Sequence, residues 1–383
     1  MYNVIVPALI QKRMPLYDLI ATAKLGMESL VADELRKLGY TDLSIKNGEV
    51  EFKGDARAIA RCNLWLRVAE RLFLKVAAFP CVTFDELYEQ TLKVDWPKLI
   101  PENGFMHVDA KCVLSQILSR QSSQSIVKKA VVESMKRAYQ KEWFEESGPE
   151  YNIHIEFYKD EARLLLDTSG AGLHKRGYRA LAGEAPLRET MAAAIVMLSN
   201  WKPGIPLFDP CCGSGTLPIE AAMIGANIAP GIRRNFDSEK WPLVPPEVWA
   251  AARKEVEDKI SKTLFVVEGS DIDLSVLATA QDNAKKSGAQ PFVRFMQRDL
   301  KDFVPSEDSG IVVCNPPYGE RLMDQAESEK LIKMMGQVFI QKKRWTYHIL
   351  SPHPQFEKLF GRKAFRNRKV YNGKIKCYLY SFA

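Results

Sequence analysis

From residue 205 to residue 360 short apolar runs alternate with amphipathic stretches, and no other property of the chain restricts its fold as much. Strands are predicted over 205–209, 264–271, 292–297, 311–315 and 345–351. Helical periodicity covers 186–199, 215–224, 274–287, 330–342 and 356–360. Such alternation builds a doubly wound parallel sheet that takes up ligands at the carboxyl ends of its strands. Two more strands, over 368–371 and 374–381, flank Asn372-Gly373, which suits a type I′ hairpin turn. The C-terminal half is therefore expected to be Rossmann-like α/β, with an antiparallel hairpin appended.

Before Asp167-Thr168-Ser169-Gly170 the pattern is α+β. Strands are predicted over 17–23, 49–52, 71–78, 105–112, 151–158 and 162–167, and helices over 27–38, 57–66, 84–92 and 122–140. The last helix carries Lys128, Lys129, Lys136 and Arg137, with Lys141 just beyond it. The boundary between the halves is expected near 165–185, and residues 1–13 read as an arm ahead of the first strand.

Composition narrows the function classes. No stretch approaches the roughly 20 consecutive apolar residues of a membrane span, and the N-terminus lacks the features of a signal peptide. Seven cysteines without a CxxC pair, and five histidines, argue against a disulfide framework or a metal site and for a reducing, cytoplasmic setting. The vicinal pair Cys211-Cys212 lies inside a glycine turn, where small residues simply fit. The net charge is +7, and residues 330–383 hold thirteen Lys/Arg against one acid, Glu357. Such a surface favours a polyanion such as RNA.

Two motifs carry the chemistry. Residues 209–216 (DPCCGSGT) join a strand to a helix. Gly213 and Gly215 let backbone approach a ligand, and Ser214 and Thr216 offer N–H groups at the helix start. Asp209 is placed to accept from an ammonium, with Cys211 beside it. Asp271, followed by Ile272, ends the next strand and should accept ribose hydroxyls; Asp299, followed by Leu300, ends the third and should accept from an adenine amine. Each acid alone could equally be a turn or helix cap. A dinucleotide reading fits poorly, because the turn is GSGTLP and an inserted loop over 227–244 precedes the next acid.

The second motif, Asn315-Pro316-Pro317-Tyr318, follows the apolar run 311–314 about a hundred residues later. The lone pair of an aromatic amine is delocalised into its ring. Acceptors on the N–H groups, here the Asn315 side chain and the Pro316 carbonyl, draw the nitrogen toward sp3. Pro316 and Pro317 stiffen the turn, and Tyr318 offers a face for a base. The pair of motifs points to methyl transfer from S-adenosylmethionine to an exocyclic amine. Between the halves, His174-Lys175-Arg176 and Arg179 form a basic stretch that either meets phosphate or closes over the cofactor, or is a plain linker.

With these residues in view, the chain resembles the THUMP-domain RNA guanine-N2 methyltransferases, in particular their bacterial 23S rRNA (RlmL/YpsC-like) group. The specific matches are 209–216, Ala229-Pro230-Gly231, 315–321 and Tyr371-Asn372-Gly373. The resemblance implies a ferredoxin-like segment within 1–55, a THUMP RNA-binding domain over 56–168 and a class I methyltransferase domain over 169–383. It also implies S-adenosylmethionine as cofactor, no metal, and N2-methylguanosine in 23S rRNA as product. Lys111, Ser115, Arg120, Lys128 and Lys129 are the RNA contacts it suggests, with the 174–179 stretch. A related tRNA guanine-N2 enzyme, and an RNA-binding assembly factor with a vestigial methyltransferase domain, are the competing readings.

Overall fold

Two seven-stranded sheets, one per half of the chain, carry the architecture. The computed structural model describes residues 15–179, 187–305, 307–318, 324–340, 344–373 and 375–383. The arm over 1–13 and the 319–321 end of the second motif lie outside the described residues.

The first half runs β1 (Tyr17–Thr22), α1 (Glu28–Lys37), β2 (Leu43–Lys46), β3 (Glu49–Gly54), α2 (Ala56–Trp65), β4 (Arg71–Pro80), α3 (Phe84–Leu92), β5 (Phe105–Val113), α4 (Arg120–Tyr139), β6 (Glu150–Tyr158) and β7 (Glu161–Asp167). The strand order is β2-β3-β1-β4-β7-β6-β5. One sheet thus spans both the expected ferredoxin-like and RNA-binding parts, joined by the antiparallel β4–β7 pairing, which breaks register between Lys75 and Ala77. Period-2 burial is clear on β6, where Tyr151, Ile153, Ile155 and Phe157 point inward. Helix starts follow from local chemistry: Asp55 accepts from the Ala58 N–H, Thr83 and Glu86 form a capping box, and Ser119 caps α4. That Ser119 cap starts α4 two residues before the predicted 122. β2 carries no sequence signal, because its burial does not alternate and Ile45 is 48% exposed.

The second half runs α5 (Glu189–Leu198), β8 (Leu207–Asp209), α6 (Thr216–Gly225), α7 (Pro246–Asp258), β9 (Val267–Asp271), α8 (Leu274–Ser287), β10 (Val293–Gln297), β11 (Gly310–Cys314), α9 (Gln325–Ile340), β12 (Trp345–Ser351), α10 (Phe356–Phe360), β13 (Arg366–Asn372) and β14 (Ile375–Phe382). The order is β10-β9-β8-β11-β12-β14-β13. The first five strands pair in parallel, while β14 pairs antiparallel with both β12 and β13. The chain reverses direction across the sheet between β8 and β11, so their carboxyl ends frame the crevice where such sheets bind ligands.

The inserted loop fastens the two halves together. The Gly231 N–H donates to the Leu64 carbonyl at the end of α2 (2.9 Å). The Ser238 hydroxyl donates to the Thr168 carbonyl (2.7 Å), and Arg234 donates to the Gly172 and Ser169 carbonyls (2.7 and 3.1 Å). Trp241 stacks on Tyr151 of β6 at 4.7 Å between centroids, and its indole N–H reaches the Glu150 carbonyl (2.9 Å). Beside it Arg61 on α2 makes a two-pronged ion pair with Glu255 on α7 (2.8 and 3.0 Å). A segment that reads as a surface loop is therefore an interdomain wedge.

Candidate active site

The turn after β8 is held by backbone and by its neighbours. The Cys212 N–H donates to the Ser270 carbonyl (2.9 Å) and the Gly213 N–H to Asp271 Oδ2 (2.9 Å). Asn283 of α8, 2% exposed, donates to the Ser214 carbonyl (3.1 Å). Gly213 has φ +52°, and a Cβ there would meet nothing within 4 Å. The turn thus presents open space at this position, consistent with a ligand. Gly215 is a glycine for another reason: it has φ +82°, and a Cβ would strike Phe295 at 2.8 Å. Its small size also serves packing against β10.

Asp209 is 2% exposed at the end of β8. Burial drives its carboxyl well above the usual carboxylate range; the Cys211 N–H, which donates to Oδ1 (3.2 Å), offsets part of this, and Asp271 adds to it. A cation bound against Asp209 would restore its charge, which is the chemistry an ammonium offers. Asp271 accepts from Gly213 on one oxygen and from the Asp273 N–H on the other (3.1 Å). A carboxylate oxygen retains a second lone pair, so capacity for hydroxyl donors remains. Ile272 beside it is 64% exposed. Asp299 caps the short turn that follows β10: its Oδ1 accepts from the Lys301 N–H (3.1 Å), and the Lys301 ammonium lies 3.1 Å from Oδ2. Those contacts, the N–H first, hold its carboxyl below the ordinary range. Leu300 is 6% exposed and packs with Phe208 and Phe303, so its side chain belongs to the core.

Asn315 follows β11 directly. Its Oδ1 is buried and accepts no hydrogen bond from the described residues. An unpaired buried acceptor costs about 1–3 kcal/mol, and the position of this one, at the switch point beside Asp209, is where an N–H donor would arrive. Pro316 is buried and Pro317 half-buried. Tyr318 is half-buried and packs on the main core; its hydroxyl accepts from Asn372 on β13 (2.8 Å). Burial pushes the phenol above its ordinary range. The ring is thus pinned at its tip by the terminal hairpin, a contact that no spacing in the sequence announces. Burial likewise raises the thiols of Cys212 and Cys314. Orphaned Asn315 Oδ1, the open Gly213 and buried Asp209 together fit an S-adenosylmethionine cleft.

The basic stretch between the halves is mostly turned inward. Arg176 is 2% exposed and gives its donors to Glu220 (3.3 Å) and to the Leu173 and Arg67 carbonyls. Arg179 pairs with Glu189 (3.4 Å) and donates to Thr216 at the start of α6. Both are struts that brace the glycine turn against the linker, Arg176 buried and Arg179 half-buried. Burial lowers His174 to about 4, so its imidazole is neutral; only Lys175 of this group is exposed. On the front half Lys111, Arg120 and Lys129 are exposed, with Lys129 over the Tyr88 ring at 5.6 Å. Lys128 is turned inward to the Met106 carbonyl (2.6 Å) and Glu146, and Ser115 accepts from the Asp160 N–H (2.9 Å). These two hold the fold locally.

Three family models match successive stretches of the chain. Residues 18–73 match an RlmL ferredoxin-like domain, 81–167 a THUMP domain and 176–381 the RMKL-like methyltransferase domain. The putative RNA methyltransferase YpsC of Bacillus subtilis is 47% identical over 372 residues, 96% of each chain. The ribosomal RNA large subunit methyltransferase K/L of Vibrio cholerae is 39% identical over 79% of this chain and 44% of its own length. Among solved structures, SMU.472, a putative methyltransferase complexed with SAH, superposes with a TM-score of 0.91 at 42% identity, over 96% of this chain and 98% of that one. A protein of Listeria monocytogenes described as a predicted N6-adenine-specific DNA methylase superposes at 0.92, with 43% identity over 96% of both. On this fold, this crevice and these matches, the chain belongs to the S-adenosylmethionine-dependent RNA methyltransferases of the RlmKL type.

Proposed function

We propose that this protein methylates the exocyclic N2 amine of a guanosine in 23S rRNA. S-adenosylmethionine, when bound, supplies the electrophilic methyl group. Asp209 accepts from the cofactor's ammonium, Asp271 from its ribose hydroxyls and Asp299 from its adenine amine. Asn315 Oδ1 and the Pro316 carbonyl accept from the two N–H bonds of the target amine, which aims its lone pair at the methyl carbon. Nitrogen–carbon bond formation accompanies carbon–sulfur cleavage, and the amine proton then leaves to water. Positioning and fixed dipoles carry most of such a step. A paired target base must first leave its stack, and the exposed cations of α4 and β5 hold the RNA while it does.

The observation that carries this reading is the buried Asn315 Oδ1, unpartnered among the described residues, at the carboxyl end of β11, the strand that pairs with the Asp209-bearing β8. A vestigial domain has no reason to keep an orphaned acceptor in place. The test uses total RNA from a strain lacking the gene, purified protein and methyl-labelled S-adenosylmethionine, followed by separation of 23S, 16S and tRNA and digestion to nucleosides. Label in N2-methylguanosine from 23S RNA is expected. Label in the tRNA fraction transfers the reading to a tRNA enzyme. Label in N6-methyladenosine overturns the choice of base.

A further inference from the structure

The hairpin β13–β14 has two faces of different character. Lys369 lies opposite Tyr378, and Tyr371 opposite Lys376. Directly opposed residues of an antiparallel pair share a face, so one face carries a checkerboard of two lysines and two tyrosines. Each ammonium also sits over a ring of its own strand: Lys369 is 5.5 Å from the Tyr371 centroid and Lys376 5.3 Å from that of Tyr378. Both lysines are exposed and both rings half-buried. Near the base of the hairpin Phe365 is 64% exposed. The one acid of residues 330–383, Glu357, is occupied by the Ala364 N–H (2.7 Å).

The checkerboard face is open only toward the hairpin tip, since Tyr380 and Phe382 on the same face lie in the core and Tyr378 packs on it; the other face is structural. Val370, Cys377 and Leu379 lie in the core, and Asn372 holds the Tyr318 hydroxyl at 2.8 Å. The checkerboard is therefore one strand's thickness from the contact that pins the catalytic turn. Lysines on an edge strand often serve only to discourage pairing with another chain. That accounts for Lys369 on the edge strand β13; it does not account for Lys376 and Tyr378 on the inner strand β14, nor for aromatic rings interleaved with the charges.

We propose that this checkerboard is a docking platform for a single-stranded RNA segment flanking the target nucleotide. The ammoniums take phosphates, and unstacked bases lie on the tyrosine faces, the pairing of chemistries by which single strands are held. The platform rests on the RNA-methylation reading above and gives it a contact surface apart from α4. Because its inner face grips Tyr318, RNA held there is in register with the catalytic turn.

The test is fluorescence anisotropy of a labelled oligouridine, and of an RNA duplex of equal length, at several salt concentrations. Wild-type protein is compared with K369E/K376E and with Y371A. Melting temperature and S-adenosylmethionine binding verify that each variant is folded. The expected result is at least a tenfold loss of single-strand affinity for both variants. For the charge reversal the logarithmic salt slope on oligouridine should fall by about 1.4, as for two lost single-strand phosphate contacts. Duplex affinity should change much less in Y371A. Unchanged oligouridine binding and slope would remove the platform, and equal loss on duplex and single strand in Y371A would remove the stacking role. This readout does not depend on which base is methylated, so it stands or falls separately from the guanine-N2 assignment.

Discussion

At the scale of single residues the crevice depends on two asparagines in opposite situations. Asn315 has an acceptor with no partner among the described residues, and Asn372 has a donor with one partner, Tyr318. Asn315→Ala is expected to lower kcat roughly a hundred- to a thousand-fold, the effect of removing a transition-state hydrogen-bond group. S-adenosylmethionine binding, followed by its thermal stabilisation of the protein, should persist. Turnover that survives the substitution would exclude Asn315 from the step. Asn372→Ala acts at one remove. It should lower kcat roughly tenfold, about the value of one hydrogen bond, with KM for both substrates little changed. Combined with Tyr318→Phe, it should add nothing beyond the Phe variant alone, since both break one contact. Additive losses would show that Asn372 acts elsewhere.

At the scale of elements the terminal strands hide a titratable group. His348 on β12 is 6% exposed and sits opposite Ser381 of β14, with Nδ1 3.0 Å from the serine hydroxyl. Burial lowers its pKa to about 4. The folded state therefore binds the proton less readily than the unfolded chain. Its contribution to stability is complete above the unfolded value of about 6.5 and is lost as pH falls through that value toward 4. Between pH 7 and pH 5 the wild-type protein should lose about 2 kcal/mol more than His348→Asn, measured from urea midpoints. Equal losses in both proteins would show that the imidazole is already solvated in the native sheet.

At the scale of the whole molecule the inserted wedge decides whether the RNA-binding half and the methyltransferase half move as one. Gly231 is held close against backbone: a Cβ there would lie 2.8 Å from the Asn63 carbonyl oxygen and from the Leu64 Cα. Both are backbone atoms and cannot swing aside. Gly231→Ala should force the halves apart at a cost of roughly 1–3 kcal/mol, and should split one thermal transition into two. RNA methylation should fall while S-adenosylmethionine binding holds, because the cofactor crevice is built within the second half alone. A single transition at the wild-type temperature would mean that α2 yields to accommodate the methyl group.

The sequence by itself determined what is local and periodic. Strand–helix alternation specified the parallel sheet, the glycine turn and Asn315-Pro316-Pro317-Tyr318 marked the carboxyl ends of two of its strands, and Asn372-Gly373 announced the hairpin. Each signal resides in a few neighbouring residues, where propensity and steric limits act. Only the tertiary structure decided which charged groups are free. Arg176, Arg179 and Lys128 read as RNA contacts from their type, but their partners Glu220, Glu189 and Glu146 lie 44, 10 and 18 positions away and are brought to them by the fold. Likewise the inserted loop became a wedge, and Tyr318 was tied to Asn372 across 54 positions. Burial and pairing are properties of the packed chain, and a charge in a linear pattern carries no record of what will cover it.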